Sequence, residues 1–129
     1  MNTYSYIEDV MARVAPLPTP APLADDQVAE LADMFRLLGD PSRLRLVLAC
    51  LDGAHSVGAL VESLGLSQSL VSHHLRLLRA ARLLRAERHG KQVHYSIADD
   101  HVRCVLVDMV DHVAEPDPDH AAGEPGDGA

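Results

Sequence analysis

Four side chains near the end of the sequence have the types and the spacing of metal ligands. Asp99 and His101 form one pair, and His112 and Glu115 form a second. Both pairs lie on a predicted helix that runs from Asp99 to Glu115. The two histidines are eleven residues apart, close to three helical turns, so they point the same way to within about 20°. Two imidazoles and two carboxylates suit a tetrahedral zinc ion, or cobalt as a similar dication.

The two pairs are too far apart for one chain to surround a single ion. Eleven residues of helix rise by roughly 16 Å, whereas protein ligands bind zinc at about 2 Å. A second helix running antiparallel across a two-fold axis brings the first pair of one chain opposite the second pair of the other. The sequence therefore predicts a homodimer with two equivalent sites between its subunits.

The same residues also fit an ordinary helix without metal. Asp99 and Asp100 are acidic residues at a helix start, where capping and the helix dipole favour them. Histidines are also common on the solvent-exposed side of a helix. The apolar residues recur at the spacing of one packed face: Val102, Val105, Leu106, Met109 and Val113. Spacing alone leaves both interpretations open.

The composition describes one globular domain with an uneven charge distribution. The chain has 129 residues, of which 47% are hydrophobic, and a net charge of −8, which by itself argues against nucleic acid. Between Ser67 and His94, however, six cationic side chains stand against the single anion Glu87. The cations are Arg76, Arg79, Arg82, Arg85, Arg88 and Lys91. This local excess of positive charge indicates a surface that binds phosphates.

Several classes of protein are excluded by what the sequence lacks. Two cysteines, Cys50 and Cys104, are too few for a disulfide framework. No apolar run approaches the length of a membrane span, and the N-terminus lacks the layout of a signal peptide. There is no G-x-S-x-G, H-E-x-x-H or phosphate-loop motif of an enzyme. We therefore expect a cytoplasmic protein that is not an enzyme and has no membrane partner.

The chain divides into three parts by composition. Residues 1–24 hold a short amphipathic helix and a proline-rich linker, and residues 116–129 form an acidic tail that we expect to be disordered. Residues 25–115 carry the periodicity of packed helices. The first of these helices is expected to bury one face, made of Val28, Leu31, Ala32, Phe35 and Leu38.

Two helices joined by a tight turn follow a central apolar helix that begins at Asp40-Pro41. Ser56 and Ser67 are placed to cap the two helices, and Gly65 between them permits a left-handed turn. This layout is a helix-turn-helix. The outer face of its second helix carries short hydrogen-bonding groups first and an arginine later: Gln68, Ser69, Ser72, His73 and Arg76. A solvated face explains the serines but not the arginines, so we predict that these residues contact the major groove of double-stranded DNA.

Residues 84–97 alternate between apolar and polar side chains, with His89-Gly90 at a predicted hairpin turn. Arg88 and Lys91 at the tip of this hairpin are expected to reach the DNA backbone or minor groove, as a wing does. The predicted fold is therefore mainly α with a small β-hairpin, a winged helix-turn-helix that forms a homodimer.

The run LSQSLVSHHLRLLRAARLL, followed by ERHGKQVHYSI and a helix that begins DDHV, resembles the ArsR/SmtB family of winged-helix metal-responsive repressors. The resemblance extends from about Asp25 to Glu115. It implies a dimeric repressor that binds operator DNA without metal and releases it when metal binds, which derepresses genes for metal efflux or sequestration.

Zinc sensors of this family whose site lies on the last helix carry Asp-x-His early and His-x-x-Glu or His-x-x-His late, from opposite subunits. Asp99, His101, His112 and Glu115 match that pattern, including the gap between the pairs. The resemblance also implies that the second ring nitrogen of His112 bonds a backbone carbonyl near Arg82.

Other sensing sites of the family are matched less well. A site that begins with cysteine on the helix before the recognition helix is absent, since Ser56 stands there and Ala59 replaces the usual acid. Cysteine sites in the recognition helix are excluded because 67–81 has none. Nickel or cobalt sensing through extra histidines remains an alternative, with His120 as the available tail residue.

Two further interpretations stay open. Thiol or persulfide sensing would use Cys50 and Cys104, although their positions are offset from those in sensors of that kind. A pure protein-interaction module would use the last helix only to dimerise, without regulated binding of DNA.

Overall fold

The computed structural model describes residues 21–117 and Asp119. The predicted helix within residues 1–24, most of the proline-rich linker and nearly all of the acidic tail lie outside the described residues. The elements in chain order are α1 (Asp25–Leu38), α2 (Pro41–Ala49), a 3-10 turn (Cys50–Asp52), β1 (His55–Ser56), α3 (Val57–Leu64), α4 (Gln68–Ala80), β2 (Leu84–His89), β3 (Gln92–Ile97) and α5 (Asp100–Ala114).

Local side-chain caps set the starts of the central helices. Asp40, Ser56 and Ser67 each accept a hydrogen bond from the backbone N–H three residues later, at 3.0 to 3.2 Å. Gly65 ends α3 with a φ of 68°, a left-handed conformation that glycine adopts without steric cost. These contacts confirm the predicted helix-turn-helix, because α3 and α4 are joined through this short turn.

A three-stranded antiparallel sheet in the order β1–β3–β2 forms the wing. Strands β2 and β3 pair from Leu84 opposite Ile97 to His89 opposite Gln92, which confirms the predicted hairpin. The sequence did not predict β1, whose two residues pair with β3, because two residues are too short to show alternation.

The hydrophobic core lies between α2, α3, α4 and the sheet, and α5 contributes one buried side chain, Leu106. The side chains with no more than 1% exposure belong mostly to α2 and α4. They are Leu46, Val47, Cys50, Leu60, Val71, Leu75 and Leu78. The recognition helix α4 is therefore anchored along its whole inner face.

The predicted buried face of α1 was wrong for the single chain. Val28 is 52% exposed and Phe35 is 61% exposed, whereas Leu37, at 4%, is the residue that α1 buries. The stripe on α5 behaves in the same way, since Met109 is 56% exposed. The reason is that no other element of the described chain covers these two faces.

The uncovered faces of α1 and α5 border an open apolar groove of about 740 Å³. Leu31 and Phe35 line it from α1, and Val105 lines it from α5. Arg82, just beyond α4, and His101 lie at the same groove, so it joins the recognition helix to the first ligand pair. Within residues 21–117, no helix combines the length and the apolar character needed to cross a membrane.

Candidate nucleic-acid interface and metal half-sites

Helix α4 separates its two faces as the sequence predicts. Val71, Leu75 and Leu78 are buried on the inner face. On the outer face Ser72 is half-buried, and the other four predicted DNA-contacting residues are exposed: Gln68, Ser69, His73 and Arg76. Short polar groups thus lie on the first turns of an exposed helix, where they can reach base edges.

The three predicted phosphate-binding cations are exposed and free of local partners. Arg76, Arg88 and Lys91 form no ion pair with any residue that the structure describes. Two other cations of the basic stretch are engaged elsewhere. Arg82 pairs with Glu30 at 2.6 Å, and Arg85 donates to the Ser96 hydroxyl at 3.3 Å. These unpaired cations are available to phosphates, and the exposed Arg79 in the last turn of α4 is a fourth.

Helix α4 ends in a left-handed residue that is not glycine. Arg82 has a φ of 63°. Its N–H donates to the carbonyl of Arg79 at 3.0 Å, and the N–H of Leu83 donates to the carbonyl of Leu78 at 2.9 Å. These two bonds form a Schellman motif, in which Arg82 holds the second-last position; glycine is usual there because a side chain is strained in that conformation. The ion pair with Glu30 connects this strained position to α1.

A buried histidine in α4 was missed by the sequence reasoning. His74 is 4% exposed, and neither of its ring nitrogens has a hydrogen-bond partner among the described residues. Burial lowers the pKa of His74, and the nearby Arg43 and His73 lower it further, while Asp40 acts in the opposite direction. The helical period, which places His74 beside the buried residues Val71 and Leu75, is the signal that identifies it.

We predict that His74 makes the fold sensitive to acid. Because its folded pKa lies below the ordinary value of about 6.5, the unfolded chain takes up a proton first as the pH falls below that value. The free energy of unfolding should therefore decrease on going from pH 7.5 to the folded pKa. Urea unfolding at pH 7.5 and 5.5 should show a larger decrease for the native chain than for His74→Leu. Equal decreases would contradict the prediction.

The first ligand pair lies at the start of α5. Asp99 is the N-cap, and its Oδ1 accepts the N–H of Val102 at 3.0 Å, which confirms the capping role. The second carboxylate oxygen remains available as a ligand. His101 lies beside it, with Nδ1 at 3.8 Å from Asp99 Oδ1 and a side chain that is 98% exposed. Capping and metal binding are therefore compatible at this position.

The second pair lies at the other end of the same helix. His112 is in the last turn, and Glu115 follows as the C-cap. Since α5 is continuous over Asp100–Ala114, the pairs stay roughly 16 Å apart along its axis. In the described part of the chain, no three side chains of histidine, cysteine, aspartate or glutamate converge as a metal site. The described part of one protomer thus holds two separate candidate ligand pairs.

The two cysteines differ in environment. Cys50 is fully buried, and burial, together with the charge of Asp52, raises the pKa of its thiol to about 11. A thiol with this pKa is protonated at neutral pH and is a poor nucleophile. Cys104 is exposed on α5. The environment of Cys50 does not favour the thiol-sensing alternative.

Known proteins share both the sequence and the fold of this chain. The profile of the family described as bacterial regulatory protein, arsR family, matches residues 40–86. A transcriptional repressor SmtB homolog from Synechocystis sp. is 41% identical over 98 residues, which cover 76% of this chain and 74% of the relative. The HTH-type transcriptional regulator KmtR from Mycobacterium tuberculosis is 40% identical over 91 residues, covering 70% of each chain.

A solved structure supports the same assignment. The homodimeric winged helix-turn-helix DNA-binding domain of a possible ArsR-family transcriptional regulator from Mycobacterium bovis superposes with a TM-score of 0.63 and 26% identity. The match covers 74% of this chain and 90% of that domain. These relatives are regulators of transcription and not enzymes, in agreement with the expectation from the sequence. The chain belongs to the ArsR family of bacterial regulatory proteins, and its DNA-binding unit is a winged helix-turn-helix.

Proposed function

We propose that the protein is a homodimeric repressor that binds operator DNA in its metal-free form and releases it when zinc binds between the subunits. The observation that carries the proposal is the placement of two ligand pairs at opposite ends of one helix whose apolar face is uncovered. A DNA-binding regulator of this kind acts in the cytoplasm, where operator DNA is accessible.

A second copy of the chain is the occupant that fits the uncovered faces. Val28, Phe35 and Met109 expose apolar surface on α1 and α5, and contiguous surface of this kind marks an interface. A two-fold axis pairs like surfaces, so α1 and α5 of one protomer meet the same helices of the other. The related domain from Mycobacterium bovis is a homodimer, which supports this assembly.

The donor set fits a divalent ion that favours four ligands. In the proposed dimer, Asp99 and His101 of one protomer face His112 and Glu115 of the other. Two carboxylates neutralise a dication, and four protein ligands leave no open position, which suits a regulatory site more than a catalytic one. Zinc is therefore the first choice, with cobalt close behind. Nickel is third, because its sites often recruit further histidines and only His120 is available in the tail.

The DNA-binding surface follows from the same symmetry. Two copies of α4 enter successive major grooves, which are about 34 Å apart, and each presents Gln68, Ser69, Ser72, His73 and Arg76. Arg88 and Lys91 of each wing contact the flanking backbone. A dimer arrangement that changes the separation of the two recognition helices then loses contacts in both grooves.

The groove beside α5 provides the route between the two functions. His101 and Arg82 line it together, and Arg82 is the left-handed residue that ends the recognition helix. A hydrogen bond from His112 to a backbone carbonyl near Arg82 would fix the second ligand pair to the same end of α4. The coupling must be reciprocal, so operator DNA weakens zinc binding by the same factor.

Titration of metals into an operator complex tests this function. Fluorescence anisotropy of a labelled fragment from the DNA upstream of the gene should show a stable complex without metal and its dissociation with zinc. Cobalt, nickel and cadmium ions in parallel rank the metal preference. A complex that forms but ignores all four ions would contradict metal regulation, and no complex at all would favour the pure interaction module.

Arg76→Ala tests the assigned DNA surface. We expect operator affinity to fall about tenfold or more, because a lost arginine contact typically costs 1–3 kcal/mol. The slope of affinity against salt concentration should also become shallower. Arg45→Ala is the matched control, since Arg45 is an exposed arginine on α2 and is not one of the residues assigned to the DNA surface. If the two variants bound operator DNA with equal affinity, Arg76 would not be a DNA-contacting residue.

A further inference from the structure

The wing brings two histidines together, next to Arg88 and Lys91 in the sequence and separate from the ligand pairs of α5. The ring centroids of His89 and His94 are 4.7 Å apart, with the planes tilted by 30°. In the strand register, Glu87 lies directly opposite His94, and His89 lies opposite Gln92. Directly paired residues share a face of a sheet, so Glu87, His89 and His94 lie on one side of the hairpin.

We propose that Glu87, His89 and His94 bind one divalent transition-metal ion within each protomer. Imidazole nitrogens suit zinc, nickel and copper, and one carboxylate beside two imidazoles is a common ligand set for such ions. Rings at this separation are close enough for one nitrogen of each to bind the same ion at about 2 Å after the side chains rotate. This wing site is complete in a single chain, unlike the half-sites of α5.

The third ligand has to move for the site to close. Glu87, His89 and His94 do not converge as a three-ligand cluster in the described chain, so at least one side chain has to rotate for the site to form. The Glu87 side chain is exposed and forms no ion pair with a described residue, so a rotation about its own bonds breaks no contact. Two ligands are therefore nearly in place, and the third is within reach.

The wing holds the two imidazoles on a rigid support. Six residue pairs connect β2 and β3, and His94 is also flanked by Ser56 of β1. The Nε2 atom of His94 lies 3.3 Å from the Gln92 side-chain oxygen. A partner on the second ring nitrogen orients a metal-bound histidine, which leaves Nδ1 of His94 as the ligand atom.

An ion at this site would add positive charge to the wing. Arg88 and Lys91 lie next to the cluster in the sequence, and Glu87 is the single anion between Ser67 and His94. Binding a dication neutralises that anion and strengthens attraction to phosphates. Metal at the wing site would strengthen DNA binding, whereas metal at the α5 sites would weaken it. This consequence rests on the proposed function, but the binding of metal does not.

The binding test uses the full-length dimer with His101→Ala and His112→Ala, which removes both α5 half-sites. Equilibrium dialysis with zinc alone should give one ion per protomer, and amide NMR shifts should concentrate in β2 and β3. Adding His94→Gln should weaken binding about tenfold or more. His55→Gln is the matched control, because His55 is a β1 histidine whose ring contacts Asp52 at 2.7 Å. Binding that is absent, or unaffected by His94→Gln, would overturn the site.

A second measurement separates the wing site from the proposed function. Operator affinity of the same double variant should rise when zinc is added, and Glu87→Gln should reduce that rise. Unchanged affinity on addition of zinc would overturn the regulatory consequence. If the protein bound no operator, dialysis and NMR would still report on the wing site by themselves.

Discussion

His112→Ala is expected to leave the operator affinity of the metal-free dimer unchanged and to abolish its release by zinc. His112 is exposed on α5 and is not one of the residues assigned to the DNA surface, so its loss removes no assigned DNA contact and little packing. A site that keeps three of four ligands loses affinity, and only Glu115 still connects it to the second subunit. In the native protein we expect zinc to weaken operator binding roughly 5- to 150-fold, the usual range of 1–3 kcal/mol. Anisotropy with and without zinc measures both quantities.

Mixed dimers test whether the ligands come from different subunits. A protomer with His101→Ala and a protomer with His112→Ala each form homodimers that lack every complete site. In the mixed dimer, one α5 site combines the two intact pairs and the other combines the two damaged ones, so one zinc ion should bind at the α5 sites. His55→Ala serves as a control for loss of an unrelated histidine. If zinc still released the His112→Ala homodimer from operator DNA, the shared site would be refuted. A mixed dimer that recovered no zinc binding at α5 would refute it as well.

Met109→Asp is expected to separate the dimer into monomers and to abolish operator binding. Met109 is 56% exposed in the single chain and lies on the apolar stripe of α5. In the proposed dimer, the substitution would bury two carboxylates near the symmetry axis, and burial of unpaired charges costs several kcal/mol each. Because specific binding needs both recognition helices, monomers should retain only weak, salt-sensitive attraction to DNA. Sedimentation and anisotropy report the two effects.

Cys104→Asp provides the matched control for this experiment. Cys104 is exposed on α5 about 140° around the helix from Met109, so the same charge enters solvent and not the interface. This variant should remain dimeric and bind operator normally. Dissociation of both variants would indicate that the substitutions unfold α5. A Met109→Asp protein that stays dimeric would place the dimer interface elsewhere.

Much of the fold follows from local sequence. Asp40, Ser56 and Ser67 accept the predicted capping bonds, and Gly65 takes the predicted left-handed turn. Period-two alternation located β2 and β3, and the register placed Gly90 in their turn. Such features depend on residues that are close in sequence, so the pattern alone contains the physical cause.

The candidate sites were predictable to a smaller extent. Residue types and a spacing of eleven selected His101 and His112, and the polar face of α4 selected Arg76. The same reasoning assigned α1 a buried face, which the single chain leaves exposed. Hydrophobic periodicity indicates that a helix face packs against another surface. It does not show whether that surface belongs to the same chain or to a second copy.

The sequence by itself determined the helices and the wing hairpin, the helix caps, the two-sided recognition helix and the candidate ligand types. Only the tertiary structure decided that His74 is buried without a partner, that Arg82 is left-handed and paired with Glu30, and that His89 and His94 meet across the wing. The physical reason is the range of the interactions. Capping and periodicity act within one or two helical turns, whereas burial, ion pairing and cross-strand contact depend on which distant segments the fold brings together.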